Sequence, residues 1–187
     1  MNQDFPILAA VAASPSHPFA VLDHLQAIGV KATRSTVYRR VDALIADGLL
    51  ESQPARSEEG QPRRTLQLTA AGRQIAAKKA AEAIANEPLE SPIFALALTC
   101  VDELDTEALL GVLRARMAST ARKLTQAERE LSKADPAENP WQLAGQERQV
   151  AHLKADISWL QSMMGRGLTA ERTESPQEGE GSTKAAS

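Results

Sequence analysis

The chain of 187 residues is poor in cysteine and in aromatic side chains. Cys100 is the single cysteine, which excludes an internal disulfide framework and is typical of a reducing cytoplasm. A small, buried apolar residue is the ordinary role for such a cysteine, with a redox role as the alternative. Aromatic residues make up 3% of the chain, whereas Ala and Leu dominate the apolar set, and this balance favours helices.

Long apolar runs are also missing from the sequence. No stretch approaches the roughly 18–20 apolar residues that are needed to span a bilayer. The opening segment MNQDFPILAAVAAS lacks the basic leader of a signal peptide, and its apolar run is too short for one. We therefore expect a cytoplasmic protein with no membrane partner.

Motifs that carry catalysis or bind metals are absent as well. His17, His24 and His152 are far apart and have no spaced cysteine or acidic partners, so no metal site is indicated. The sequence has no glycine-rich phosphate loop, no nucleophile elbow and no distinctive pair of carboxylates. We expect no catalytic residue, no cofactor and no enzyme activity.

The distribution of charge is more informative than the net charge of −3. Residues 1–75 carry eight basic side chains, and six of these fall in the short stretches 31–40 and 63–64. Residues 76–168 mix both signs, as an ordinary solvated helix surface does. The basic clusters in the first part are therefore candidates for an anionic partner.

Three zones divide the chain. Residues 1–86 contain short helices and one strand-turn-strand signal, residues 87–168 are helical in pattern, and residues 169–187 are polar and rich in Gly, Ser and Glu. The last zone cannot bury enough apolar surface to fold alone, so we expect a disordered tail. The fold class is mainly α with a small β-hairpin.

The first zone begins with three helical patterns. Ile7, Leu8 and Val11 mark the first, which ends at Ser14-Pro15-Ser16, and Phe19, Leu22 and Leu25 mark the second, which ends near Gly29. In the third pattern Thr33 is the expected N-cap and Gly48 the expected terminator. Its apolar stripe consists of Val37, Val41, Leu44 and Ile45.

A strand-turn-strand signal and a fourth helix follow. The pattern is that of two strands, over 49–52 and 63–68, joined by a turn over 57–62. Thr69 is the expected N-cap of a helix over 70–86. Three helices, a two-stranded wing and a further helix are the order of a winged helix-turn-helix domain. In that fold the third helix enters the major groove of DNA.

Small hydrogen-bonding residues and arginines lie opposite the apolar stripe of the third helix and on its flanks. Arginines at the base of the wing would meet phosphates, whereas Glu58 and Glu59 at its tip would repel them. Each arginine taken alone could be an ordinary solvated charge, but their clustering favours DNA. The candidate DNA-binding residues are Arg34, Ser35, Thr36, Tyr38, Arg39, Arg40, Arg63 and Arg64.

Four segments together resemble the PadR family of transcriptional regulators. They are the run over 33–39, the exit Asp47–Glu51, the wing segment 59–64 and the stretch 66–73. The resemblance covers about residues 5–75. It implies that the helix over 34–47 enters the major groove and that Thr36 and Tyr38 lie at the DNA backbone.

The second zone contains two heptad seams that are separated by the proline-bounded break 134–140. Each seam extends over roughly 20 residues, or about 30 Å of helix, and the break predicts an antiparallel hairpin. We expect this hairpin to pair with that of a second chain, with an intramolecular bundle against helix 70–86 as the alternative. The candidate dimerisation residues are Leu110, Leu113, Met117, Leu124, Leu131, Val150, Leu153, Ile157, Leu160 and Met164; Thr120, Ala127, Leu143 and Gln146 complete the seams. The two-helix region resembles the AphA-like subgroup of the family.

These patterns predict a homodimeric regulator that binds double-stranded DNA at a palindromic operator. Repression is the usual mode in the family that the chain resembles, and the AphA-like subgroup includes an activator. The resemblance also allows a small aromatic effector near Trp141 or Trp159, although packing is the simpler role for both. The alternative function is an adaptor that binds another helical protein through the hairpin and does not bind DNA.

Overall fold

The computed structural model describes residues 4–14, 16–56, 62–101, 104–134 and 139–170. In chain order the elements are α1 (Asp4–Ala13), α2 (Pro18–Ala27), α3 (Arg34–Ala46), β1 (Leu50–Arg56), β2 (Pro62–Leu68), α4 (Ala70–Asn86), α5 (Pro92–Leu98), α6 (Thr106–Leu131) and α7 (Pro140–Ala170). No helix within these ranges is both long and apolar enough to cross a bilayer. The mainly helical fold with a small β-hairpin is confirmed.

Side-chain caps and glycines set the boundaries of the N-terminal helices. The hydroxyl of Thr33 accepts from the N–H of Thr36 at the start of α3, and that of Thr69 accepts from the N–H of Gly72 at the start of α4. Gly48 follows α3 with a φ of +71°. This left-handed conformation is strained for a residue that has a Cβ atom, but glycine adopts it without strain. The predicted caps and the predicted glycine terminator are therefore confirmed.

The hairpin is longer than its sequence pattern suggested. β1 continues past the predicted end at residue 52 to Arg56, and Pro54 lies opposite Arg64 in the antiparallel register. Both strands of a two-stranded sheet are edge strands, where proline is tolerated. The predicted turn over 57–62 lies outside the described residues except for Pro62, which begins β2.

One continuous core joins the N-terminal elements to the first part of α6 and the last part of α7. It includes the apolar sides of α1, α2 and α3 together with Leu50 and Leu66 of the hairpin, Ile84 of α4 and Leu96 of α5. Cys100 belongs to the same core and is 1% exposed. The small buried apolar role that we expected for this cysteine is the one that it has.

The C-terminal hairpin is formed by α6 and α7, which pack along each other, and α6 also packs against α4. Helix α7 continues to Ala170, two residues into the segment predicted to be disordered. Residues 171–187 lie outside the described residues.

Candidate nucleic-acid interface

Helix α3 has one buried face and one exposed face, as its sequence pattern predicted. Val37, Val41 and Leu44 are at most 3% exposed and anchor the helix on the core. The exposed face carries Arg34, Ser35 and Arg39, with Thr36 and Tyr38 half-buried beside them. The first turn of α3 therefore presents hydroxyl and guanidinium donors outward from a rigid helix.

Arg34 and Tyr38 are held together at the start of α3. The guanidinium carbon of Arg34 lies 5.5 Å from the centroid of the Tyr38 ring, within the range of a cation–π interaction. Residues four apart on a helix lie on the same face, so the contact arises directly from the sequence spacing. It restricts the rotamers of both side chains before any ligand arrives.

Arg39 is the exposed arginine in the middle of this face. It forms no ion pair with any residue in the described ranges. A guanidinium presented on a helix surface in this way can make a two-pronged contact with the edge of guanine.

Arg40 differs from Arg39 in having an ion-pair partner. Its guanidinium is paired with the carboxylate of Asp4 in α1, and its side chain is 35% exposed. The ion pair directs Arg40 toward α1 because the flank of α3 that carries it packs against that helix. The pair secures α3 on α1, and the role of Arg40 as a DNA contact stays a prediction.

The two predicted wing arginines differ in what the structure shows. Arg64 donates from Nη2 to Oδ1 of Asp42 on α3 at 3.0 Å, so the wing is tied to the exposed side of that helix. The backbone of Arg63 lies in β2 opposite Ala55. The side chain of Arg63, and Glu58 and Glu59 at the wing tip, lie outside the described residues.

A cleft that sequence patterns did not reveal lies beside this helix. It has a volume of about 270 Å³ and is lined by His17, Pro18, Phe19, Tyr38 and Arg64. Phe19 had been expected to belong to the buried stripe of α2, but its side chain is 47% exposed. Val21 joins Leu22 and Leu25 in the core instead, since the buried stripe of α2 begins at Pro18 and Phe19 lies on its flank.

The heptad seams of α6 and α7 are used within the chain. Leu113 and Leu160 belong to the main core, while Leu124, Leu131, Val150 and Leu153 form a second cluster with Ala127 farther along the hairpin. Leu110 is buried as well, and Met117, Ile157 and Met164 are half-buried. The buried members pack within the chain, and the dimerisation role of the candidate residues stays a prediction.

Comparison with protein families gives one match. The family model described as "Transcriptional regulator PadR-like family" matches residues 7–78, which span α1 to the first half of α4. No curated protein matches the sequence.

Several solved structures align with most of the chain. Bacillus subtilis PadR in complex with operator DNA is 14% identical, with 89% of this chain and 99% of that chain covered and a TM-score of 0.41. The smu.1604c protein of Streptococcus mutans UA159 is 17% identical, with 88% and 99% covered and a TM-score of 0.40. Bacillus subtilis PadR in complex with p-coumaric acid is 14% identical, with 88% and 98% covered and a TM-score of 0.38.

Proposed function

We propose, from the premise that residues 7–78 place this chain in the PadR-like family of transcriptional regulators, that the protein binds a two-fold symmetric operator as a homodimer and represses transcription there. The family consists of transcription factors rather than enzymes. Repression, the symmetry of the site and the dimer are the parts that are proposed.

The outward face of α3 is the observation that carries this proposal. The helix buries Val37 and Val41 and presents Arg34 and Arg39 on its free side. An α-helix fits the major groove of B-DNA, and an arginine contact with guanine contributes roughly 1–3 kcal/mol of discrimination between bases. We assign sequence reading to Arg39 with Ser35, and contacts with the DNA backbone to Thr36 and Tyr38.

The wing supplies the second part of the interface. Arg64 lies opposite Pro54, nearer the turn than the Leu50–Leu68 end of the hairpin, and its side chain reaches Asp42 on α3. Phosphates flanking the major groove would come within reach there. Contacts with phosphates add affinity that weakens with salt, and they carry no sequence information directly. We include Arg63 because it follows Pro62 in the same strand.

A homodimer would place two such heads on one DNA molecule. Isologous dimers are the commonest soluble oligomers, and two heads related by a two-fold axis would read half-sites about one helical turn apart. The α6–α7 hairpin has exposed flanks along its length, so we assign the pairing to it. Membership of the AphA-like subgroup remains a prediction from the presence of two C-terminal helices.

A small aromatic effector remains a secondary prediction. Trp159 packs edge-on against Phe94 with ring centroids 5.6 Å apart, which accounts for Trp159 by packing alone. Trp141 is 86% exposed and lies at the first turn of α7, away from that pair. A cleft of about 420 Å³ beside Trp159 is where such an effector would be sought first.

The alternative is an adaptor that uses the hairpin and does not bind DNA. Charge reversal at Arg39 separates the two functions, because the adaptor would not need the exposed face of α3. The primary test is fluorescence anisotropy of the purified protein against DNA from upstream of its own gene, with a scrambled duplex as the competitor. Titrations at two salt concentrations give the number of phosphates neutralised.

We expect tight, salt-weakened binding to the upstream DNA and a loss of at least about tenfold in the Arg39→Glu variant. Arg122→Glu on α6 is the matched control, since Arg122 is exposed and far from α3 in the chain. Equal, weak binding to both duplexes would exclude an operator in that region, and selection from random-sequence duplexes would follow. Failure of that selection would overturn the DNA-binding proposal in favour of the adaptor.

A further inference from the structure

The cleft between α2, α3 and the wing is held in place by the backbone. Ser16 and Leu66 form an isolated antiparallel bridge, with Leu66 N donating to Ser16 O at 2.9 Å and Ser16 N donating to Leu66 O at 3.4 Å. The bridge fixes the start of α2 against β2, one residue before His17. The bridge therefore fixes the backbone next to Phe19 relative to the strand that carries Arg64.

The chemistry of the cleft is apolar inside and cationic at its edge. His17 and Phe19 stack with centroids 6.3 Å apart and an interplanar angle of 27°, and Tyr38 lines the same space. Arg64 is the charged side chain among the described residues that line the cleft, and its guanidinium is paired with Asp42 on α3. A deoxyribose-phosphate unit has the complementary composition, because its sugar is largely apolar and its phosphate is anionic.

His17 adds a defined hydrogen-bond donor. Its Nδ1 accepts from the backbone N–H of Ala20 at 3.0 Å, which caps the N-terminus of α2. In a neutral imidazole one nitrogen accepts and the other carries the hydrogen, so Nε2 is the donor. A ring N–H of this kind is suited to a phosphate oxygen.

We infer that this cleft holds the sugar-phosphate backbone of DNA, with Phe19 packed on a deoxyribose and with His17 and Arg64 directed at the adjoining phosphate. The inference rests on the proposed function and extends it to His17 and Phe19, which lie on α2 and its N-cap. The cleft adjoins α3 through Tyr38, so a duplex seated on α3 would continue into it.

The test exploits the different salt responses of apolar and ionic contacts. Anisotropy titrations over a range of salt concentrations would compare wild type, Phe19→Ala and Arg64→Gln on one duplex selected from a random-sequence library and on its scrambled form. Phe19→Ala should weaken binding to both duplexes about five- to tenfold. The salt slope, which is the slope of the logarithm of the binding constant against the logarithm of the salt concentration, should not change, because an apolar contact releases no counterions. Arg64→Gln should lower the salt slope by about one.

Ile75→Ala is the matched control, since Ile75 is another exposed large apolar side chain at 38% and lies on α4, away from the cleft. His17→Ser keeps a capping oxygen for α2 but removes the ring donor, so it should weaken both duplexes while leaving thermal unfolding nearly unchanged. If Phe19→Ala binds as tightly as wild type while Arg39→Glu fails to bind, the cleft inference is wrong and the regulator stands. If wild type binds no selected duplex, the proposed function itself fails.

Discussion

The guanidinium of Arg64 in the wing lies 3.0 Å from the carboxylate of Asp42 on α3. The two side chains are 39% and 61% exposed, so solvent screens the pair and its contribution to stability is small, roughly 0–1 kcal/mol. Its position is more important than its energy. The pair links α3, which would contact the bases, to the wing, which would contact the phosphates.

Replacing Asp42 by Asn should therefore affect DNA binding more than folding. The substitution removes a negative charge from the proposed interface and releases Arg64, so we expect tighter binding to every duplex. Discrimination between the selected and the scrambled duplex should fall by a few-fold, because sequence-independent phosphate contacts gain most. Anisotropy titrations of both duplexes measure the ratio directly.

Asp47→Asn makes the same change of charge at the C-cap of α3 and serves as the control. Equal tightening in both variants would mean that net charge alone is responsible. A loss of affinity in Asp42→Asn would show instead that Arg64 must be held by Asp42 in order to reach its phosphate.

Gly72 is required by the close approach of α4 to the end of α3. A Cβ built on Gly72 would lie 2.0 Å from the backbone carbonyl oxygen of Leu49, and that oxygen is fixed by its bond from the N–H of Thr69 at 3.2 Å. Gly72→Ala should lower the free energy of unfolding by at least about 1–3 kcal/mol, the range for overpacking. Urea unfolding followed by circular dichroism measures the change.

Gly111→Ala provides the opposite control for this prediction. Gly111 lies inside α6 with nothing within 4 Å of a built Cβ, so alanine should stabilise the chain by about 0.5–1 kcal/mol. Destabilisation of similar size in both variants would contradict the steric explanation for Gly72.

Local signals made much of the head predictable from sequence. Thr33, Thr69 and Gly48 define helix ends through bonds to residues only a few positions away, which is why α3 and α4 begin and end where expected. The exposure of Phe19 was missed because α2 carries two overlapping apolar stripes, one through Phe19 and one through Pro18 and Val21, and periodicity alone does not say which one faces the core. The pairing of Arg40 with Asp4 likewise depends on the packing of α1 against α3.

Arg116 connects the helical hairpin to the head. Its Nη1 donates to the carbonyl oxygen of Ile84 in the last turn of α4 at 2.7 Å, and its guanidinium carbon lies 5.2 Å from the Phe94 centroid. Burial lowers the pKa of Arg116, and the negative charges of Asp156 and Glu90 oppose that shift. Arginine stays protonated at any ordinary pH, so the contact should not titrate.

Arg116→Met should therefore destabilise the chain by about 1.5–3 kcal/mol, since a charged hydrogen bond to a helix end is lost. The urea concentration at the unfolding midpoint should be lower than that of wild type, and the decrease should be equal at pH 6 and pH 8. Arg114→Met is the control, because Arg114 forms only an exposed pair with Glu107. An equal loss of unfolding free energy in Arg114→Met would indicate a general effect of charge on α6.

The heptad seams lead to the last prediction, because a heptad pattern specifies a helical partner without specifying which chain supplies it. Leu160 is 0% exposed and lies in the main core, so Leu160→Ala should cost about 2–5 kcal/mol of unfolding free energy. Leu143→Ala, at a half-buried seam position outside both core clusters, should cost clearly less. Under conditions in which both proteins are folded, sedimentation should give the same dimer dissociation constant for Leu160→Ala as for wild type. The reason is that a fully buried side chain offers no area to a partner chain. Dissociation of the Leu160→Ala dimer at concentrations where wild type stays paired would instead assign this seam to the interface between chains.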